Sequence, residues 1–416
     1  MNIDALLTLG VVFFMLYASV FFLIIFAERR SVIKKDPFPK NRHFVSIIIP
    51  AYQGDRPELI EKAVNSALAL SYPEKEVVIS WNGPKNSVFD FCKKFDGENV
   101  AVISTETPGK AAGMNNALKS IKGEYFCCLD ADSFFTQTDF LDSMVGYLEE
   151  PNVVAVTSAM KVSEPKTIMQ KIQWVEYVFA IYLRKMMSFI NCLYVAPGPG
   201  SVYKTEVVKN VGGFDEHNLT EDMEIAFRLQ KHGYQIRNST NAFVETVAPE
   251  KLTELVKQRV RWYAGFVDNI KKYKFFVLNP KYGSLGMYIL PSSMLWILVL
   301  FYTVGKLIFN TADGVNYAFR TLLLTGFHPD MLWHRFLDSI YFQPTFMTLF
   351  ILVFFMIGIT AIVLSLWTAN EKLNLRKKYL DYTLYFGVYT FLMVLFWVAS
   401  LFYVVSRNFA KTKIKW

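Results

Sequence analysis

Four long apolar stretches along the chain predict membrane-spanning helices. The first runs from Ala5 to Phe26 without a charged residue, and three more lie at Met287 to Phe309, Phe346 to Trp367 and Tyr379 to Val405. At a rise of about 1.5 Å per helical residue, each is near the length needed to cross a hydrocarbon core of roughly 30 Å. We therefore expect one membrane helix before the central part of the chain and about three after it.

Basic residues indicate the orientation of these helices. A basic cluster at residues 29–35 follows the first apolar stretch, whereas a signal peptide would carry its basic residues ahead of it. The positive-inside rule places the residues after Phe26 in the cytoplasm. The tail after Val405 is also basic, although four spans would leave it outside. Either the rule fails there, or residues 315–333 contain another membrane element.

Between roughly Phe44 and Lys251 the pattern changes to short apolar runs that alternate with helical segments. The runs "FVSIII", "EVVIS", "YFCCL" and "VVAVTS" predict buried strands, and "ELIEKAVNSALAL" predicts an amphipathic helix. This alternation predicts an α/β domain with a mostly parallel sheet covered by helices. Because ligands bind beyond the carboxyl ends of the strands in such sheets, functional residues are expected just after strands.

One segment of this region, "TIMQKIQWVEYVFAIYLRKMM", repeats apolar residues at helical spacing with Lys171 and Arg184 on its flanks. It predicts a long helix. Two interpretations remain open for it: an interfacial helix that seats the domain on a bilayer, or a core helix of the domain.

Composition agrees with a membrane protein that has more than one structural part. The 416 residues exceed what one hydrophobic core usually supports, and 53% of them are hydrophobic while only 19% are charged. The net charge of +8 is not accompanied by a nucleic-acid-binding motif, so membrane lipids, not nucleic acid, are the expected partner. The four cysteines lack C-x-x-C spacing and are expected to be free thiols in a reducing compartment.

Two short motifs combine charge with a position after a strand or before a helix. "YFCCLDADS" places Asp130 and Asp132 at the end of a strand, where their oxygens suit Mg²⁺ or Mn²⁺. "TPGKAAGMNNAL" places Lys110 between glycines ahead of a helix, where a phosphate can bind. Each also has a plain structural interpretation, because aspartate and glycine are common in turns.

The acidic motif "NLTEDMEIAFRLQKHG" predicts a helix with well-marked ends. Thr220 is the expected N-cap, Glu221 and Asp222 fill the first turn, where the helix dipole favours anions, and Gly233 ends the helix. This accounts for the acidic residues without any function. Alternatively, Asp222 is a general base held at a rigid helix start.

The basic motif "KQRVRWYAG" precedes the C-terminal apolar region. Gln258, Arg261 and Trp262 share one face of the predicted helix, while Lys257 and Arg259 are expected to face solvent or lipid head groups. The segment is interpreted either as an interfacial helix anchored by tryptophan, or as a site where arginine contacts an anion and tryptophan stacks on a ligand.

Taken in order, these motifs resemble the membrane-bound, processive branch of glycosyltransferase family 2, which includes cellulose, chitin, hyaluronan and poly-N-acetylglucosamine synthases. The resemblance covers about Val45 to Gly265 and rests on "SIIIPAYQG", "GKAAGMNNAL", "DAD", "VGGFDE", "TED", "KHGY" and "QRVRW". It implies a GT-A fold and metal-dependent transfer of a sugar from a nucleotide diphosphate, with inversion at the anomeric carbon.

The resemblance also implies a role for each motif residue. Asp222 would be the catalytic base, and Asp132 would bind the cofactor, Mg²⁺ or Mn²⁺. The residues implied in donor binding are Ala51, Tyr52, Asn82, Lys110, Asp130 and Arg261. The residues implied in acceptor binding are Gly200, Ser201, Glu221, Gln258 and Trp262.

The family pattern divides the chain into four expected parts. They are an N-terminal transmembrane helix at 1–27, a cytoplasmic GT-A domain at 28–251, interface helices with the Q-x-x-R-W motif at 252–285, and a C-terminal transmembrane region at 286–416. The expected protein is thus integral to the plasma or cell membrane. About three C-terminal helices are few for a polymer channel, so an oligomer or an accessory subunit would complete it.

Donor and acceptor remain open at this point. Asn82 stands in "SWNGPKN" where many relatives carry a carboxylate, so UDP is expected over GDP only from its frequency in the family. The expected reaction adds a hexose or an N-acetylhexosamine to a growing β-linked polysaccharide. The alternatives are a single transfer to a lipid acceptor, as in ceramide glucosyltransferases, and a non-catalytic membrane scaffold.

Overall fold

The structure is a computed structural model that describes residues 9–14, 16–17, 19, 36–326, 330, 333 and 346–410. The chain forms two compact units. One comprises residues 1–27 and 291–363, and the other comprises residues 28–290 and 364–416.

The second unit is built on an eight-stranded sheet, counted over the described residues. Its strands are β1 (Val45–Ala51), β2 (Lys75–Asn82), β3 (Val100–Thr105), β4 (Tyr125–Cys128), β5 (Ser133–Phe135), β6 (Val153–Val162), β7 (Val202–Lys204) and β8 (Gln235–Thr246). Their order across the sheet is β3-β2-β1-β4-β7-β6-β8-β5. The predicted parallel arrangement is confirmed for β3, β2, β1 and β4. Beyond them the sheet is mixed, since β7 runs antiparallel to both of its neighbours and β5 runs antiparallel to β8.

Helices cover both faces of the sheet. The helices of this part of the chain are α1 (Pro57–Leu68), α2 (Ser87–Lys93), α3 (Lys110–Leu118), α4 (Asp142–Leu148), α5 (Ile168–Phe189), α6 (Thr205–Asn210), α7 (Glu221–Lys231) and α8 (Leu252–Lys272), of which α8 packs on α7 and not on the sheet. Strand β1 is buried along its whole length, because Ile47 and Ile49 join one hydrophobic core while Ile48, on the opposite face, joins the other. A central strand covered on both faces needs apolar residues at every position, which explains the continuous run "VSIII".

Helix α5 is a core helix. Thr167 and Gln170 form a capping box at its start, and several of its buried polar side chains find partners inside the unit. Gln173 donates to the carbonyl of Pro249 at 2.9 Å, and Lys185 donates to the carbonyl of Asn238 at 2.8 Å. Polar groups that are buried and satisfied on several faces fit a core position, not a bilayer surface.

The C-terminal region is helical where it is described. Its elements are α9 (Leu290–Thr325), α10 (Phe346–Thr368), α11 (Leu375–Leu384) and α12 (Thr390–Ala410), with π-helical turns at Leu285–Ile289 and Tyr385–Tyr389. Two helices of the described chain, Leu285–Leu324 and Lys378–Arg407, are long and apolar enough to cross a membrane.

Helix α9 differs from the prediction in length. It continues past the expected end at Phe309, so residues 315–325 extend this helix and do not form a separate element. Most of residues 326–333, much of the first predicted span and the last six residues of the basic tail lie outside the described residues.

Candidate active site

The D-A-D motif lies at the carboxyl end of β4, as the sequence predicts. Asp130 and Asp132 occupy the turn between β4 and β5, where the amide of Ser133 donates to the carbonyl of Asp130 at 2.9 Å. The carboxylate of Asp132 accepts from the hydroxyl of Ser133 at 3.0 Å and from that of Thr246 at 3.4 Å. These bonds hold Asp132 at one edge of the sheet.

Lys110 brings the D-A-D and T-E-D motifs together. It is the first residue of α3, which follows Gly109 in a positive-φ conformation (φ 122°). Its Nζ lies 2.5 Å from Oδ1 of Asp130 and 3.4 Å from Oε1 of Glu221. Burial disfavours the charged ammonium, but the two carboxylates outweigh burial and raise the pKa of Lys110. A permanent positive charge therefore sits between the two acidic motifs.

Thr220 occupies the N-cap position of α7, but its hydroxyl does not cap the helix as predicted. The hydroxyl instead accepts from the side-chain amide of Asn269 at 3.0 Å. The reason is that α8 passes very close to this point, where a Cβ on Gly265 would lie 2.4 Å from the Thr220 hydroxyl. Gly265 of the Q-R-V-R-W segment thus lets α8 lie against the start of the T-E-D helix. Gly233 follows the end of α7 with a φ of +82°, as predicted.

Asp222 has a carboxyl group with a raised pKa. Burial and the neighbouring carboxylate of Glu221 raise its pKa to about 6, against the opposing effect of Lys110 and Arg261. One of its oxygens accepts from the amide of Met223 at 2.8 Å. The group is therefore ionised at neutral pH and still basic enough to accept a proton.

The Q-R-V-R-W motif lies on α8, and one of its side chains differs from the prediction. Arg259, expected to face solvent or lipid, is only 1% exposed and pairs with Glu176 at 2.6 Å. A buried guanidinium needs such a partner. Its carbon also lies 4.1 Å from the centre of the Trp262 ring. Arg261 is close enough to Asp222 to lower its pKa, and Oε1 of Gln258 is buried without a hydrogen-bond partner among the described residues.

Hydrogen bonds of one side chain link the ends of β1 and β2 to the loop ahead of Lys110. The side-chain amide of Asn82 donates to the carbonyl of Ala51 at 2.9 Å and accepts from the amide of Gly109 at 3.0 Å. Asn82 therefore ties the end of β1 to the loop ahead of Lys110. Tyr52, the next residue after β1, is half exposed.

Gly200 and Ser201, two of the residues implied in acceptor binding, lie in a buried segment next to β7. Both are buried near the pairing of β4 and β7, where the amide of Gly200 donates to the carbonyl of Cys128 at 2.7 Å. Gly198 of the same "GPGS" segment does reach the cluster, since a Cβ there would lie 2.3 Å from the Lys110 Nζ. The sequence "GPGS" shows two glycines but does not indicate which of them lies beside Lys110. The fold decides that it is Gly198.

Asp55 is a candidate site residue that the sequence motifs do not indicate. Its carboxylate accepts from the amide of Tyr52 at 2.9 Å. Burial, helped by the carboxylates of Asp132 and Asp130, raises its pKa to about 7 against the opposing effects of the Tyr52 amide and Lys110. The available signal was a carboxylate shortly after β1, at the same sheet edge as the D-A-D motif.

The donor set at this edge fits a divalent cation completed by a substrate. Among the described residues no three His, Cys, Asp or Glu side chains form a ready-made metal site. Burial and the charge of Asp130 nevertheless raise the pKa of Asp132, so this cluster of hard oxygen donors favours a cation. Mg²⁺ is commonly held by one or two carboxylates together with substrate phosphates.

Asp55→Asn should change how the stability of the protein depends on pH. Because the folded state raises the pKa of Asp55 to about 7, this group stabilises the fold at low pH and loses that contribution as the pH rises through about 7. The variant has no carboxyl group here and does not lose this stability. The difference in free energy of unfolding, variant minus wild type, should therefore rise by about 2 kcal/mol between about pH 5 and pH 8. Thermal unfolding in detergent measures this.

Asp215→Asn is the matched control for this prediction. Hydrogen bonds from Lys272 and from the His217 amide, acting against burial, lower the pKa of Asp215, so its removal should cost stability at pH 8. The assignment fails if both variants shift the unfolding temperature in the same direction.

Comparison with known proteins gives consistent similarities. A family model described as "Glycosyltransferase like family 2" matches residues 41–265. A poly-beta-1,6-N-acetyl-D-glucosamine synthase of Staphylococcus epidermidis is 27% identical over 284 residues, which cover 66% of this chain and 67% of the relative. The protein of the same name from Staphylococcus aureus is 28% identical over 253 residues, covering 60% of this chain and 61% of the relative.

A solved structure shares the fold. It is the mannosyltransferase PcManGT from Pyrobaculum calidifontis in complex with GDP-Man and Mn²⁺, with a TM-score of 0.55, 18% identity, and coverage of 86% of this chain and 97% of that one. At this identity the likeness concerns the fold alone.

Proposed function

Because the chain belongs to the glycosyltransferase-like family 2 and has a GT-A fold, we propose that it is a membrane-bound, metal-dependent, inverting glycosyltransferase. It moves a hexose or an N-acetylhexosamine from a nucleotide diphosphate sugar, with UDP expected, to a growing β-linked polysaccharide. The observation that carries this proposal is the contact of Lys110 with both Asp130 and Glu221, which places the D-A-D motif beside Asp222. The names of the relatives favour N-acetylglucosamine as the sugar.

Inversion requires in-line attack, and Asp222 is placed in this scheme as its base. The acceptor hydroxyl oxygen bonds to the anomeric carbon while the bond from that carbon to the diphosphate oxygen breaks. The hydroxyl proton passes to the carboxylate of Asp222. Its pKa of about 6 supports this role, because the group is ionised at neutral pH and its basicity lies near the operating pH.

The leaving diphosphate needs positive charge on the opposite side. Lys110 and Arg261 supply it from the protein. Mg²⁺ or Mn²⁺, when bound by Asp132 with Asp130 and Asp55 beside it, would neutralise further charge on the leaving group. The carboxylates would repel a diphosphate, and a divalent cation would offset the part of their charge that Lys110 leaves uncompensated.

The acceptor side is assigned to α8 and Glu221. Trp262 offers a flat face to the C–H groups of a β-linked sugar. The unpaired Oε1 of Gln258 is suited to accept a hydrogen bond from a sugar hydroxyl, because a buried polar oxygen is stabilised by such a partner. Gly200 and Ser201 would support the acceptor only through the backbone around them.

Membrane attachment belongs to the same proposal. The two long apolar helices support it, and we place the sheet-containing unit on the cytoplasmic side, where nucleotide sugars are made. The four-part division at residues 27, 251 and 285 remains our proposal for the chain. Homo-oligomers or an accessory subunit remain an expectation.

The donor is tested first, by thermal shift of the purified protein. UDP- and GDP-sugars are compared with Mg²⁺ or Mn²⁺ and with EDTA as the control. One donor with metal should stabilise the protein by about 2.7 kcal/mol at a hundredfold excess over its Kd. No stabilisation by any donor, together with no consumption of any donor, would contradict the function.

The product then separates the two acceptor classes. With the stabilising donor in radiolabelled form, a polysaccharide synthase gives a high-mass glycan. A single transfer to lipid instead gives one lipid-soluble glycoside. Donor binding without either product would favour the non-catalytic scaffold.

A further inference from the structure

A chain of contacts links the C-terminal helical region to the tryptophan of the Q-R-V-R-W motif. Oε2 of Glu176, on α5, accepts from the hydroxyl of Tyr389 at 2.8 Å and from Nη2 of Arg259 at 2.6 Å. The guanidinium of Arg259 in turn lies over the ring of Trp262, 4.1 Å from its centre. All four residues belong to the unit of residues 28–290 and 364–416.

Burial makes these contacts specific. Arg259 is 1% exposed and Tyr389 is 2% exposed, so both donors are shielded from water, while the side chain of Glu176 between them is 25% exposed. The hydrogen bond from Nη2 to Glu176 restricts how the planar guanidinium of Arg259 can turn, while its Nε has no hydrogen-bond partner among the described residues. Stacking on the flat face of the guanidinium stabilises one orientation of the Trp262 ring.

Tyr389 itself is held by an unusual local structure. It ends the π-helical turn Tyr385–Tyr389, which adds one residue to the helical register at this point. The ring of Tyr385 stacks on that of Tyr389 with a centroid distance of 5.4 Å and an interplanar angle of 21°. The position of the Tyr389 hydroxyl thus depends on the fold of the C-terminal helical region.

We propose that Tyr389, Glu176 and Arg259 are positioning residues that hold Trp262 for the acceptor. The inference rests on the proposed function, in which Trp262 lies under the acceptor sugar. None of the three touches the reacting atoms. They act through Trp262, so they control how the acceptor hydroxyl meets Asp222. The C-terminal helical region, through Tyr389, thereby sets acceptor binding, while donor binding depends on α3 and the turn between β4 and β5.

The competing explanation is that this network only docks one helix on another. The chain offers a control for it. Arg407 on α12 pairs with Asp268 on α8, its Nη2 lying 2.7 Å from one carboxylate oxygen and 2.9 Å from the other. Arg407→Lys weakens a link between the same helical regions. A second control is Tyr382→Phe, which removes a buried hydroxyl that has no hydrogen-bond partner among the described residues.

The first test compares acceptor and donor kinetics of the full-length protein in lipid nanodiscs. The probes are UDP-N-acetylglucosamine, Mn²⁺ and a short β-1,6-linked N-acetylglucosamine oligosaccharide. Tyr389→Phe, Glu176→Gln and Arg259→Lys should raise the acceptor KM by about tenfold and keep the donor KM within about twofold of the wild type. Tyr382→Phe and Arg407→Lys should leave both within about twofold. An unchanged acceptor KM in the three network variants, or an equal rise in Arg407→Lys, overturns the proposal.

The second test does not need turnover. Subtracting the fluorescence of each protein's Trp262→Phe version isolates the emission of Trp262 from that of the other tryptophans. This difference emission should change in Arg259→Lys and Tyr389→Phe and stay the same in Arg407→Lys. If the wild type transfers no sugar but the emission follows this pattern, the proposed function has failed and the network stands. If the emission does not respond, the network fails whatever the activity.

Discussion

Asp222→Asn should lower the rate of sugar transfer by about 10²- to 10⁴-fold, the usual contribution of a positioned general base. Asparagine has nearly the same shape and still accepts the hydrogen bond from the Met223 amide, but it cannot take up the acceptor proton. Burial and Glu221 raise the pKa of Asp222, so its removal should not destabilise the protein at neutral pH. Transfer is measured with labelled donor, and folding is checked by thermal unfolding.

The pH profile gives this prediction a sharper form. The base must be ionised, so kcat/KM of the wild type should rise with pH, with its midpoint at the pKa of about 6 of Asp222, and then level off. The variant should lose this rising limb along with its rate. The control is Asp215→Asn, in the loop before α7. It should keep both the rate of sugar transfer and the rise of kcat/KM with pH. Nucleotide release at the wild-type rate in Asp222→Asn would remove the catalytic assignment.

Asp132→Asn should raise the Mn²⁺ concentration needed for half-maximal activity by about 10- to 100-fold. Its carboxylate is fixed by Ser133 and Thr246, and the buried carboxylates around it repel one another without a cation. Asparagine removes the negative charge and leaves a weaker ligand oxygen. Activity is titrated with Mn²⁺ after treatment with EDTA, at saturating donor.

A binding measurement accompanies that titration. The wild type should be stabilised by Mn²⁺ and donor together, and Asp132→Asn should lose most of this stabilisation. Asp139→Asn is the control, because Asp139 lies in the segment after β5 and accepts from Gln137 at 3.1 Å. A variant and control with the same Mn²⁺ titration would show that Asp132 does not hold the metal.

Much of the domain was predictable because its signals are local. The run "VSIII" predicts a buried strand and the structure confirms it in β1. The position of the D-A-D motif just after β4 and the end of α7 before Gly233 are confirmed as well. Strand burial and helix termination depend on residues within a few positions of each other, which a linear pattern records.

The predictions that failed concern what lies opposite a helix. Arg259 was expected on an exposed face, yet Glu176 from α5 and the ring of Trp262 enclose it. The Thr220 hydroxyl was expected to cap its own helix, but Asn269 of α8 takes it. Periodicity shows which residues share a face. It does not show which element covers that face.

The sequence by itself therefore determined four of the eight described strands, the end of α7, the family resemblance and the motif residues, because each follows from short-range steric and patterning rules. Only the tertiary structure decided that Asp55 and Gly198 belong to the charged cluster while Gly200 and Ser201 lie in the core. It also decided that Tyr389 meets Glu176 across 213 positions of the chain. Such contacts depend on the path of the whole backbone, because that path decides which partner lies close enough to pair with a buried charge.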